Sequence, residues 1–271
     1  MKNQEELRFE FGQNWNSFSE KIDHERLEIA KESLMKMFNV GELKGKTFLD
    51  VGCGSGLFSL AAVELGASVT SFDYDTEAVQ TALKIRRDYN VSESHWKITS
   101  GSILDGEFIS NLGKFDFVYC WGVAHHTGAM WLALSNLKYL VNQKGRLFIA
   151  IYNDQGFKSR IWWLIKYFYC SLPNPLKTPF VILFGMLNLL LIIFRDTLKV
   201  NFSFLKKLLN YKRDRGMSLF TDLRDWYGGF PYEYASFDRL KHFFVKDGFS
   251  LKEFYQETSI GCHELVFQKE N

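Results

Sequence analysis

The chain has 271 residues, 46% of them hydrophobic and 24% charged. That balance excludes global disorder and supports one elaborated domain, or one domain with a sizeable insertion. The four cysteines (Cys53, Cys120, Cys170 and Cys262) are scattered without a C-x-x-C pair, which argues against a zinc or other metal site and against a disulfide scaffold. Net charge is only +2, yet residues 155–215 hold eleven Lys or Arg against two acids, a local net of +9 that leaves −7 for the remainder.

In chain order, Leu7 to Met37 reads as helical, from Ile22, Leu27, Ile29, Leu34 and Met37 at roughly helical spacing. Met1 to Glu6 carries no apolar h-region, so no signal peptide is expected and a reducing cytoplasm is the default. Strands are predicted at Thr47–Val51, Ser68–Phe72, Trp96–Thr99, Phe115–Cys120 and Arg146–Tyr152, with helices at Leu57–Leu65, Thr76–Tyr89 and Met130–Val141 between them. Such alternation predicts a doubly wound parallel α/β sheet with crossover helices. It stops at Asn153 and resumes with a helix at Phe237–Asp247 and a closing antiparallel hairpin, Leu251–Thr258 and His263–Lys269. The expected organisation is an N-terminal helical lid (1–44), a sheet core (45–153 and 234–271) and a helical, hydrophobic and basic cap inserted after strand five (154–233), too long for an ordinary loop.

Residues 50–56 read D-V-G-C-G-S-G between a strand and a helix. Small residues let main chain approach a ligand, and glycine permits the bend. A dinucleotide fingerprint wants G-x-G-x-x-G, but Leu57 occupies the last position. Asp50 suits a cationic head group better than a pyrophosphate. Asp73, at the end of the second strand, is placed to accept from ribose hydroxyls, or alternatively to serve as a helix N-terminal acid.

The D-V-G-C-G-S-G turn, Asp73, G-S-I-L-D at 101–105 and F-D-F-V-Y-C-W-G-V-A-H-H at 115–126 resemble the ordered motifs of class I S-adenosylmethionine-dependent methyltransferases, within the broad small-molecule group that includes ubiquinone-type O-methyltransferases. The resemblance covers about Gly45 to Tyr152 and the terminal hairpin. It implies a Rossmann-like seven-stranded sheet with one antiparallel strand, and S-adenosyl-L-methionine as cofactor. It also implies that Gly52, Cys53, Gly54 and Gly56 pass under the methionine part, with Asp50 nearby. Asp73 and Tyr74 would meet the ribose and adenine edge, Ser102 and Ile103 would flank the adenine, and Trp121 would stand beside the cofactor. Many relatives have an acid where this chain has Ser102, which puts the adenine contact in doubt.

Methyl transfer to a hydroxyl needs a base, and His125 or His126, directly after the fourth strand, could accept the proton; the alternative is that they cap or satisfy loop backbone. Candidate acceptor-binding residues are Tyr152 and Asn153 at the tip of strand five, Arg215, Asp222 and Trp226 at the end of the insertion, and Trp15 in a lid. The expected activity is O-methylation of a small or lipid-like acceptor. N- or C-methylation, a nicotinamide-dependent oxidoreductase and a non-catalytic cofactor-binding protein are the competing readings.

Phe180–Phe194 is almost continuously apolar, but fifteen helical residues span only about 22 Å where a bilayer core needs about 30 Å. A buried lid, a homodimer interface and a helix dipping into one leaflet therefore compete. Aromatic residues before it and basic ones after it point residues 161–213 towards an anionic membrane surface, with peripheral attachment of an otherwise cytoplasmic protein. Nucleic acid is disfavoured because the run is too apolar to track a phosphate backbone.

Overall fold

The computed structural model describes residues 24–198, 219–259 and 261–271. Contact clustering separates a helical unit, Arg160–Pro231, from a sheet unit that runs up to Ser159 and resumes over Tyr232–Asn271.

The sheet unit opens with α1 (His24–Phe38), β1 (Thr47–Val51), α2 (Leu57–Glu64), β2 (Ser68–Asp73), α3 (Thr76–Asp88) and β3 (Trp96–Ser100). It continues with α4 (Gly106–Leu112), β4 (Phe115–Trp121), a 3-10 turn at Ala124–His126, α5 (Met130–Tyr139) and β5 (Val141–Tyr152). Its seven strands lie in the order β3-β2-β1-β4-β5-β7-β6, where β6 is Phe249–Tyr255 and β7 is Cys262–Lys269. Pairings among β1 to β5 are parallel, and β7 runs antiparallel to both β5 and β6. This is the expected doubly wound sheet with its terminal hairpin.

Strand alternation sends successive side chains to opposite layers. Leu49, Val51, Val118, Leu147 and Ile149 join one core with Leu134 and Leu137 of α5 and Leu240 of a later helix. Phe48, Tyr119, Phe148 and Val266 join the other with Leu34 and Phe38 of α1 and Leu60 of α2. Helix α1 is thus part of the sheet unit's core: Leu27, Ala30, Leu34 and Phe38 are buried on one face.

The corrections are local. Helix α4 escaped the periodicity because it is seven residues long and buries only Ile109. The predicted helix ending at Val141 stops at Tyr139, because Val141 pairs with Phe115 and starts β5, and the register then shifts so that Arg146 meets Phe117. Lys144, at φ 62°, makes the bend between those pairs. The hairpin's first strand begins at Phe249, two residues before the expected start.

In the helical unit, α6 (Phe157–Ser171, whose first turn straddles the boundary) is followed by α7 (Asn174–Leu198) and α8 (Leu219–Gly228). Tyr169, Phe180, Val181 and Tyr227 form its small core. The apolar run sits in a 25-residue helix, longer than its own fifteen residues indicate. Among the described residues, no helix is long and apolar enough to cross a membrane. After this unit, α9 (Phe237–Val245) returns the chain to the sheet and leads into β6.

Candidate functional site

The site is built at the ends of β1, β2 and β4. β1 ends in a bend in which Gly52, Gly54 and Gly56 take φ of 70°, 54° and 81°, a region that penalises any side chain with a Cβ. Space imposes the same demand. A Cβ on Gly52 would lie 2.4 Å from Val123 Cγ2, and one on Gly56 would lie 2.8 Å from Trp96 Cη2. Trp96 is fully buried, and its Nε1–H donates to Ser71 Oγ at 2.6 Å. The turn is pinned from β2, since the Phe72 carbonyl accepts from the N–H groups of Gly52 (2.8 Å) and Cys53 (3.2 Å). The Cys53 carbonyl accepts from Gly56 N–H at 2.8 Å.

Asp73 closes the arrangement. One carboxylate oxygen accepts from Gly54 N–H and the other from Asp75 N–H, both at 2.9 Å. The alternative of a helix cap is taken by its neighbour, because Asp75 is the residue that caps α3 by accepting from Glu77 N–H. The Asp73 carbonyl accepts from Gly101 N–H at 3.0 Å, which ties the loop after β3 to the same place.

Asp50 lies beneath the turn. Strand alternation places it on the same side as Phe48, under α2, where it is 2% exposed and accepts a 2.6 Å hydrogen bond from Ser59 Oγ. Burial pushes its carboxyl up to about 7, the nearby Asp73 charge adding to the rise and the Ser59 bonds opposing it. It joins β1 to the first turn of α2 beneath the bend.

The remaining cofactor candidates flank the turn unevenly. Ile103 is buried and its carbonyl accepts from Asn136 Nδ2 at 2.7 Å, while Ser102 Oγ accepts from Leu104 N–H at 3.2 Å. Tyr74 and Trp121 are exposed large aromatics, and Trp121 Nε1–H donates to Glu264 at 3.2 Å.

Through Val123 the loop after β4 lies against Gly52. His125 and His126 follow in the 3-10 turn, both buried, with ring centroids 4.4 Å apart. Tyr152 at the tip of β5 places its ring 4.1 Å from His125 and 5.0 Å from Tyr232. The segment 232–235 clamps these tips. Glu233 N–H donates to the His125 carbonyl (2.9 Å) and Ala235 N–H to the Tyr152 carbonyl (3.0 Å), while the Glu233 carboxylate accepts from Met130 N–H at 3.0 Å and caps α5. Burial raises the Glu233 carboxyl, opposed by the backbone bonds from Met130 and Gly128. The partner of Glu233 is 103 residues away, and no local signal in the sequence names it.

Asn153 holds the terminal hairpin: its N–H donates to the Gly261 carbonyl (2.9 Å) and its side-chain amide to the Ser259 carbonyl (3.2 Å). Trp226 packs in the helical unit against Trp162, ring centroids 5.5 Å apart. Asp222 lies on α8. Trp15 and Arg215 fall outside the described residues.

Known proteins place this geometry. Residues 49–147 match the family model described as a methyltransferase domain. The ubiquinone biosynthesis O-methyltransferase of Glaesserella parasuis is 32% identical over 111 residues, which cover 41% of this chain and 47% of that protein. Its counterpart from Pelagibacter ubique is 28% identical over 144 residues, covering 52% and 57%. The chain thus matches about half the length of these curated relatives. Among solved structures, the magnesium protoporphyrin IX methyltransferase of Synechocystis with bound SAH superposes with a TM-score of 0.53 at 14% identity, covering 90% of this chain and 83% of that one. A putative S-adenosyl-L-methionine-dependent methyltransferase of Methanococcus maripaludis gives 0.53 at 14% identity, covering 100% and 97%. Residues 49–147 thus match a methyltransferase domain, and the chain shares its fold with these solved methyltransferases.

Proposed function

We propose that this chain transfers a methyl group from S-adenosyl-L-methionine to a small or lipid-like acceptor, with oxygen as the atom methylated. The carrying observation is the side-chain-free bend at Gly52, Gly54 and Gly56, bonded through Gly54 N–H to the Asp73 carboxylate. Main chain there can lie against a ligand, and a carboxylate at the end of β2 suits vicinal ribose hydroxyls. Cys53 lies within the bend, Tyr74 follows Asp73, and Ser102 and Ile103 follow β3, which suits them to the remaining cofactor edges. Trp121 stands at the tip of β4. The cofactor supplies an already activated sulfonium methyl, so the protein's work is alignment and exclusion of water.

The acceptor's proton is assigned to His125 or His126. Both sit in the turn that follows Val123, the residue in contact with Gly52, and both are backed by the Tyr152 ring. Tyr152 is assigned to the acceptor's edge. Asp50 and Glu233 are positioning residues, the first beneath the bend and the second behind the histidine turn. The curated relatives named for ubiquinone biosynthesis favour an acceptor with apolar character. The helical unit is assigned to contact with an anionic membrane surface.

The test is transfer of labelled methyl from S-adenosylmethionine into cell extract, partitioned into lipid, small-molecule and nucleic-acid fractions. Label should enter the lipid or small-molecule fraction and become alkali-resistant ether or alkali-labile ester according to the acceptor oxygen. Label in the nucleic-acid fraction alone, or none anywhere while S-adenosylhomocysteine binds, contradicts the proposal.

A further inference from the structure

The helical unit has more apolar surface than its own core uses. The inner faces of α6 and α7 supply Tyr169, Phe180 and Val181 to that core. Their outer faces are apolar as well. On α6, Ile161, Leu164 and Phe168 recur at i, i+3 and i+7, each at least 40% exposed. On α7, Leu176, Leu183, Met186, Leu187 and Leu190 recur at helical spacing, each about half exposed. Helices that pack on one side carry polar residues on the other, and exposed apolar stripes of this extent mark an interaction surface.

The charge pattern selects the partner. No charged residue occurs from 178 to 194, while Lys177 and Arg195 stand at the two ends of that run, about 27 Å apart along the helix axis. Residues 155–215 carry a net +9. On α6 and α7 themselves Lys158, Arg160, Lys166, Lys177 and Arg195 stand against Asp196 alone, so a second copy docked helix to helix would bring like charges together, a repulsive arrangement. An anionic lipid surface offers the opposite charge and an apolar layer within reach of half-buried stripes. Since no described helix is long and apolar enough to cross a membrane, the helices fit a position in the interfacial plane, with long basic side chains reaching the headgroups.

We propose that the outer apolar stripes of α6 and α7 dock this chain in the plane of an anionic phospholipid surface. The proposal is independent of the methyl-transfer reading, because none of these residues belongs to the glycine-turn site.

The experiment is co-sedimentation of the full chain with vesicles of mixed phosphatidylglycerol and phosphatidylcholine, against phosphatidylcholine alone. Partition should favour the anionic vesicles by at least about 10-fold and weaken with salt. Leu183→Glu with Leu187→Glu should lower it by at least about 10-fold, with unchanged circular dichroism and unchanged S-adenosylhomocysteine binding. The milder pair Leu183→Gln and Leu187→Gln covers the case in which the acidic pair disturbs folding. Absence of sedimentation, or partition untouched by either folded pair, overturns the proposal. So does a dimer in light scattering that both pairs dissociate, without vesicle binding.

Discussion

The sheet unit and the helical unit use apolar residues differently. In the sheet unit β1, β4 and β5 feed two cores, so a side chain on either face meets a helix. In the helical unit four buried residues make the core, and the outward stripes of α6 and α7 remain exposed among the described residues. Burial alone accounts for the first composition. Burial among the described residues does not account for the second, and the docking proposal rests on that contrast.

The sharpest way to break this contrast is to remove packing from each. Trp96→Ala deletes a fully buried ring that backs Gly56 and bonds Ser71. It should cost about 3–5 kcal/mol in denaturant unfolding. A loss below about 1 kcal/mol would mean that the bend does not rest on that ring.

Next in size is a pH effect at Asp50. Its folded carboxyl titrates at about 7, above the ordinary carboxylate range, because of burial. The folded state therefore holds a proton that the unfolded chain releases near pH 4. Stability from this group is fully present below pH 4 and is lost as pH rises through 7. Asp50→Asn removes that dependence while keeping an acceptor for Ser59. Between pH 4 and pH 8 the wild type should lose on the order of 3 kcal/mol relative to the variant. A difference that is flat with pH would show that the carboxylate stays ionised beneath the turn.

The smallest expected effect belongs to the helical unit. Leu187→Ser, on the exposed stripe, should change thermal stability by no more than about 0.5 kcal/mol in the free chain. A loss of 2 kcal/mol or more would mean that the stripe is covered by the chain itself, and the contrast between the units would fail.

What the sequence made legible was local. Alternating apolar runs and helical spacings marked the strands of the sheet, and the bend was readable because three glycines and Asp73 lie within 22 residues. The burial of Asp50 beneath the turn follows from its two-residue spacing from Phe48, which assigns both to one face. The contacts of Val123 with Gly52 and of Glu233 with α5 join residues 71 and 103 positions apart. They depend on which strands become neighbours, which no short window contains. Asn153 and Trp226 looked like acceptor residues because polar and aromatic types suit pockets. In the structure Asn153 also holds the terminal hairpin and Trp226 also packs against Trp162, contacts that no short window contains.

The central claim is that the bend after β1 holds S-adenosyl ligands. Titration calorimetry with S-adenosylhomocysteine tests it, using the wild type and Gly54→Val, which forces a branched side chain into a backbone at φ 54°. Binding by the wild type with a loss of about 100-fold or more in a folded variant is the predicted result. Equal affinity in the two proteins, or a wild type that binds NAD and ignores S-adenosylhomocysteine, would contradict it.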